Sequence, residues 1–160
     1  MAYVIVITGV GFGGLGAAVC EALAPYSRGL LIITGRDIQL PQAVAKALIA
    51  QYADLKISVI QMDLSLTKSV ENAAQEIKKV ASRIHVLVNN AGVMCIPDRT
   101  LTEPGIEAHL AINYVGHFLL AKLLAEHTRT VTAYLVGATL ILNSSTRETE
   151  TGSFSAFGFV

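Results

Sequence analysis

The sequence predicts an α/β fold, a doubly wound parallel sheet with helices on both faces. Three observations carry this. Short apolar runs rich in β-branched residues recur at Tyr3–Ile7, Leu30–Thr34, Ile57–Met62, Ile84–Val88 and Thr139–Leu142, each the pattern of a strand covered on both faces. The first four are separated by stretches with apolar residues at helical spacing. Glycines, asparagines and isolated charges cluster just after the runs, at the carboxyl ends where open parallel sheets bind ligands.

The first run leads straight into five glycines in eight residues, Gly9 to Gly16, and then into the helix formers Ala17–Ala24. A turn of this kind lets backbone approach a ligand and aims free amides of the helix N-terminus outward, a setting for phosphate. Two overlapping spacings, Gly9-x-Gly11-x-x-Gly14 and Gly11-x-Gly13-x-x-Gly16, both satisfy the generic dinucleotide fingerprint. Alone, the loop also admits a flexible turn that holds nothing.

Pro25 and Gly29 end the first helix, and the second strand runs into Gly35-Arg36-Asp37. In a dinucleotide fold this strand end meets the adenosine ribose, where an Arg accommodates a 2′-phosphate and an acidic residue binds a 2′-hydroxyl. Arg36 therefore favours NADP(H); Asp37, one position on, would favour NAD(H) if it took that place. A helix follows from Pro41 to Tyr52, then the third strand, then Asp63-Leu64. Asp63 is placed to reach an adenine amino group, or to cap the next helix together with Ser65 and Thr67.

Thr67–Ser82 reads as a helix with Val70, Ala73, Ala74, Ile77 and Val80 toward the sheet. The fourth strand ends in Asn89-Asn90-Ala91-Gly92, where two Asn side chains can fix a sharp turn through their own backbone. A long helical pattern runs from Gly105 to about Thr128, with a possible break near Gly116. Asn113 is its polar residue of interest, and His117 reads as structural or partly exposed. Residues 128–137 are read as an unpatterned connection, and a fifth strand, Thr139–Leu142, carries Asn143-Ser144-Ser145 at its end.

At 160 residues, 52% hydrophobic and 15% charged, the chain is one domain's worth with a sizeable core. Residues 1–160 are read as a single nucleotide-binding domain. Twelve basic and twelve acidic residues cancel, which leaves no electrostatic case for nucleic acid or an anionic membrane. Cys20 and Cys95 have neither metal-ligand spacing nor disulfide density; Cys20 is expected to pack and Cys95 to lie in a loop. No apolar run reads as a membrane span and no signal peptide opens the chain, so a cytoplasmic location is expected.

Thr8-Gly9 with its loop, Gly35-Arg36, Asp63-Leu64, Asn89–Gly92, Asn113-Tyr-Val-Gly-His-Phe-Leu-Leu120 and Asn143-Ser-Ser145, in this order, resemble the short-chain dehydrogenase/reductase family. Gly35-Arg36 and the Asn113–Leu120 stretch look most like its retinol-dehydrogenase-like branch. The resemblance implies a Rossmann-like sheet and NADP(H)-dependent hydride transfer with a small carbonyl or alcohol substrate, in a complete protein that forms homo-oligomers. It implies cofactor binding by Thr8, Gly9, Gly11, Gly14, Leu15, Gly16, Arg36, Asp63, Leu64, Asn90, Ala91 and Gly92. It also implies catalytic roles for Asn113, whose helix helps hold a water, and for Ser145, which bonds the substrate oxygen.

Two departures stand out. The family's proton donor, a Tyr followed four residues later by a Lys, is absent after Ser145; Tyr52-Ala-Asp-Leu-Lys56 fits the spacing but precedes the third strand. With a strand just completed, the chain is expected to be C-terminally truncated and to bind cofactor without turnover. A non-catalytic nucleotide-binding or regulatory protein is the alternative. The glycine loop is also one residue longer than the family pattern, with the excess either before Gly14-Leu15-Gly16 or after Gly13.

Overall fold

The computed structural model describes residues 3–26, 29–103, 105–135 and 138–142. Four strands follow the apolar runs to within a residue or two: β1 (Val4–Ile7), β2 (Leu30–Gly35), β3 (Lys56–Gln61) and β4 (Ile84–Asn89). Between them lie α1 (Leu15–Leu23), α2 (Gln39–Gln51) and α3 (Thr67–Val80). The sheet order is β3-β2-β1-β4 with all pairs parallel. The order reverses between β1 and β4, which makes the gap beyond their carboxyl ends the topological switch point.

Alternation along each strand sends neighbours to opposite faces. Val6 and Ile32 join Ile60, Val70, Ile77 and Leu87 in one core cluster under α3. Ile7, Leu31 and Ile33 join Ala17, Cys20, Val44 and Leu48 in the other, under α1 and α2. Burying each such branched side chain is worth about 1.5–3 kcal/mol, so two dry faces fix the winding. Cys20 packs as expected, and its burial pushes the thiol up to about 12.

After β4 a helical run, α4, extends from Ala108 to His127. It holds a single π-helical turn at Ala111–Val115, around Asn113, and passes through Gly116 without a break. Gly116 serves close packing instead: a Cβ there would stand 2.5 Å from the Leu64 carbonyl oxygen. At 20 residues α4 is long and apolar enough, by length and composition, to cross a membrane, which corrects the reading that no run approaches such a span. The apolar content has a local use, since Leu120, Ala121 and Leu124 pack into the cluster beneath α3.

The sequence reading of residues 128–137 is also corrected. Thr128–Leu135 forms β5, parallel to β4, and Ala138–Leu142 forms β6, antiparallel to β5 at the sheet edge. The expected fifth strand is thus the sixth. Threonines at 128, 130 and 132 disguise β5, because they favour strands without making an apolar run. Ser145 lies outside the described residues.

Candidate functional site

The carboxyl ends of β1, β2, β3 and β4 open onto a groove of about 540 Å³. It is lined by Gly9, Gly11, Gly14 and Leu15 from the glycine loop, Arg36 and Asp37 after β2, Asp63 and Leu64 after β3, and Asn90, Ala91 and Gly92 after β4. Every expected cofactor residue lines it except Thr8 and Gly16, which lie just behind. Met62, Val93, Ile112 and Leu40 complete the walls. Sequence reasoning missed these, because an apolar wall residue carries no mark that separates it from core.

The glycine loop is pinned at two places. Gly9 takes φ +70°, and a Cβ there would stand 2.5 Å from the Cα of Ala91. A Cβ on Gly16 would stand 2.7 Å from the side-chain nitrogen of Asn90 and 2.9 Å from the Gly9 carbonyl oxygen. Between these points the Gly14 N–H donates to the Gly11 carbonyl at 3.1 Å, closing a turn with Phe12 and Gly13 at its tip. Gly13 takes φ +71° with nothing within 4 Å of its missing Cβ, the third position of a type II turn. Phe12 and Gly13 are both exposed at this tip, where the loop has room for a residue beyond the family spacing. α1 starts at Leu15 with Gly14 as its N-cap and no side-chain cap, so its first amides are free for an anion.

Arg36 is exposed, and its side chain has no hydrogen-bond partner among the described residues. Its backbone carbonyl accepts from the Gln61 side chain at 3.0 Å, which holds the strand end in place. Asp37 is engaged elsewhere: its carboxylate accepts from the Gln39 N–H at 3.0 Å, at the start of α2. One oxygen of Asp63 accepts from the Ser65 N–H and hydroxyl, at 2.9 and 2.6 Å. These bonds close a turn ahead of α3 and do not cap the helix, whose N-cap is Leu66 with no side-chain cap; the capping role expected of Asp63 is thereby corrected, and its second carboxylate oxygen has no partner among the described residues.

The turn after β4 is built differently from the sequence expectation. The side-chain nitrogen of Asn90 does not bond its own backbone; it donates to the Thr8 and Gly9 carbonyls, at 2.8 and 3.2 Å. The buried Thr8 hydroxyl oxygen accepts from the Asn90 and Ala91 N–H groups, each at 3.0 Å. Glycine loop and asparagine turn are one hydrogen-bonded unit. Asn113 stands behind it: its side-chain oxygen accepts from the Val93 N–H at 2.8 Å and its nitrogen donates to the Val93 carbonyl at 2.9 Å. His117, four residues on, is buried rather than partly exposed, with Nε2 3.0 Å from the Thr8 hydroxyl.

Tyr52 and Lys56 sit at the end of α2 and the start of β3, at the amino end of the sheet and away from the groove. Their spacing is coincidental. Cys95 is exposed in a loop, with φ +59°. Among the described residues no group of His, Cys, Asp and Glu could hold a metal.

A groove at the switch point, a glycine loop fused to an asparagine turn, and an asparagine on the helix behind define the class, and most of the chain matches it. Residues 3–146 match the family model for short chain dehydrogenases: the chain belongs to that family. It is 78% identical over 144 residues to oxidoreductase fscI of Fusarium equiseti, covering 90% of this chain and 56% of that protein. It is 37% identical over 124 residues to human retinol dehydrogenase 11, covering 77% of this chain and 38% of that protein. The crystal structure of a metagenomic short-chain oxidoreductase in complex with NADP superposes with a TM-score of 0.65 at 28% identity, covering 79% of this chain and 56% of that one. The chain spans about half the length, or less, of these relatives.

Proposed function

We propose that the chain is the nucleotide-binding part of an NADP(H)-dependent oxidoreductase that moves hydride between nicotinamide and a small carbonyl or alcohol, in the retinol-dehydrogenase-like branch. The observation that carries this is the groove, which collects phosphate-, ribose- and adenine-directed groups from four strand ends. The residues present fit such a cofactor. Gly9 and Gly16 let the loop pack against Ala91 and Asn90 with no side chain between them, and the uncapped start of α1 supplies amides for the pyrophosphate. Arg36, with its guanidinium unpaired among the described residues and Asp37 drawn to α2, suits a 2′-phosphate. Asp63 would take the adenine amino group, and Asn90, Ala91 and Gly92 would flank the ribose.

Bound there, the cofactor supplies the hydride. The chain's own residues bind and orient it. Asn113 fixes the segment after the turn through Val93, and Ser145 is proposed to bond the substrate oxygen. Proton transfer to that oxygen needs a general acid, and no Tyr or Lys follows Ser145. The alternative reading is a nucleotide-binding protein without turnover.

Fluorescence titration of this chain with NADPH and NADH tests the first part, with saturable binding that favours NADPH expected. Absence of binding to either would sink the cofactor assignment. Carbonyl reduction assayed on the same preparation separates the two readings: no turnover is expected of this chain, and turnover would show that another group donates the proton.

A further inference from the structure

Thr8 directly follows β1 with its side chain fully buried, and its hydroxyl bonding can be counted. A hydroxyl oxygen has two lone pairs and one proton. Its lone pairs face the N–H groups of Asn90 and Ala91, each at 3.0 Å, the Asn90 N–H being shared with the Val88 carbonyl at 3.1 Å. The proton is left to donate, and the acceptor in reach is Nε2 of His117, also at 3.0 Å. That nitrogen is therefore bare. The ring hydrogen sits on Nδ1, which faces the Asn113 carbonyl at 3.3 Å.

The same count weighs against the imidazolium. A proton on Nε2 would point at an oxygen that already accepts from both turn amides, so a bond to the turn would have to give way, leaving the Asn90 N–H to the Val88 carbonyl alone or the Ala91 N–H without its partner. Burial independently pushes the ring down to about 4, against the opposing pull of the Asn113 carbonyl. The groups that hydrogen-bond the ring, Thr8 and Asn113, do not titrate, and no charged side chain contributes to the shift.

We propose that His117 is a positioning residue for the nucleotide groove: neutral, with its hydrogen on Nδ1, it aims the Thr8 hydroxyl so that Thr8 holds the Asn90–Ala91 turn against the glycine loop. His117 and Thr8 do not line the groove; Asn90 and Ala91 do. The histidine thus acts at one remove, linking α4 to the ends of β1 and β4. This rests on the groove being a nucleotide site only for its effect on affinity, not for the bonding itself.

The first test is nitrogen NMR of the imidazole in the unmodified chain at neutral pH. A protonated Nδ1 and bare Nε2 are expected; a hydrogen on Nε2 overturns the proposal. The second compares His117→Leu, His117→Gln, Thr8→Val and the double variant Thr8→Val/His117→Leu, reading NADPH affinity and amide exchange at Asn90 and Ala91. The Leu variant loses roughly tenfold in affinity, the scale of one buried donor left unsatisfied, and exchanges faster at both amides. The Gln variant, whose carbonyl can accept from Thr8, recovers most of both. The double variant is no worse than Thr8→Val alone, because the histidine acts through the threonine. Equal behaviour of Leu and Gln, or additive losses, would reduce His117 to a space filler. If the unmodified chain binds no nucleotide, the proposed function falls, while the tautomer and the exchange at the two amides still decide the role of His117.

Discussion

Asn113 holds both backbone groups of Val93, accepting from its N–H at 2.8 Å and donating to its carbonyl at 2.9 Å. A side-chain amide used this way replaces a strand partner for a residue that has left the sheet. Asn113→Leu keeps the size and loses both bonds, so it should cost about 2 kcal/mol at about 1 kcal/mol per bond. Denaturant unfolding gives the cost and amide exchange at Val93 locates it. Unaltered protection at Val93 would show that the pairing does not hold the segment in solution.

The glycines of the loop should differ in how they tolerate alanine. Gly9→Ala drives a Cβ to 2.5 Å from Ala91 in a left-handed conformation, and NADPH binding should be lost. Gly13→Ala meets no neighbour but keeps φ +71°, a strain of about 1–2 kcal/mol. Gly11→Ala, whose nearest neighbour would be Leu40 at 3.8 Å, should be nearly silent. Melting temperatures and NADPH titration check the order. Deleting Gly13 should leave affinity little changed, and a large loss would mean that the tip itself touches phosphate.

Arg36 and Asp37 should separate in their effects on the cofactor. Arg36→Leu removes a charge-assisted contact and should weaken NADPH by roughly ten- to a hundredfold, with NADH unaffected. Asp37→Ala breaks only the bond to Gln39 and should lower stability slightly without changing preference. Isothermal titration with both nucleotides decides; an NADH affinity that follows Asp37 would transfer the ribose contact to that residue.

Acid should destabilise the fold in two windows. His117 is held down to about 4, against about 6.5 when free. Between these values the unfolded chain binds a proton that the native chain refuses, so stability falls as pH drops from about 6.5 to 4, by about 3 kcal/mol at most. Glu107 is lowered to about 2, chiefly by its side-chain bond to His109, so its contribution is present above about 4.5 and is lost below that. His117→Gln should flatten only the upper window and Glu107→Gln only the lower, read from unfolding midpoints across pH.

The first four strands were legible because buried parallel strands are written as continuous β-branched runs, and the groove residues because each follows such a run. β5 was not, since its threonines supply strand propensity without apolar patterning. The length of the loop was visible as one residue too many, but spacing could not say that the turn from Gly11 to Gly14 has room for the excess. His117 was seen and set aside: a histidine on an amphipathic helix has no sequence mark of its partner, and Thr8 lies 109 positions away. Its position one turn after Asn113 and next to Gly116, where the helix packs tightly on Leu64, was the available hint.

The outward tip between Gly11 and Gly14 separates two jobs that a glycine count runs together. What presents amides to an anion is the pair of pins, Gly9 against Ala91 and Gly16 against Asn90, and the tip touches neither. The tip is slack between two fixed posts. Its length is free to vary where the distance between posts is not, and with Phe12 72% exposed at the end of it, the slack also carries an apolar side chain out to the rim, beside whatever enters the groove.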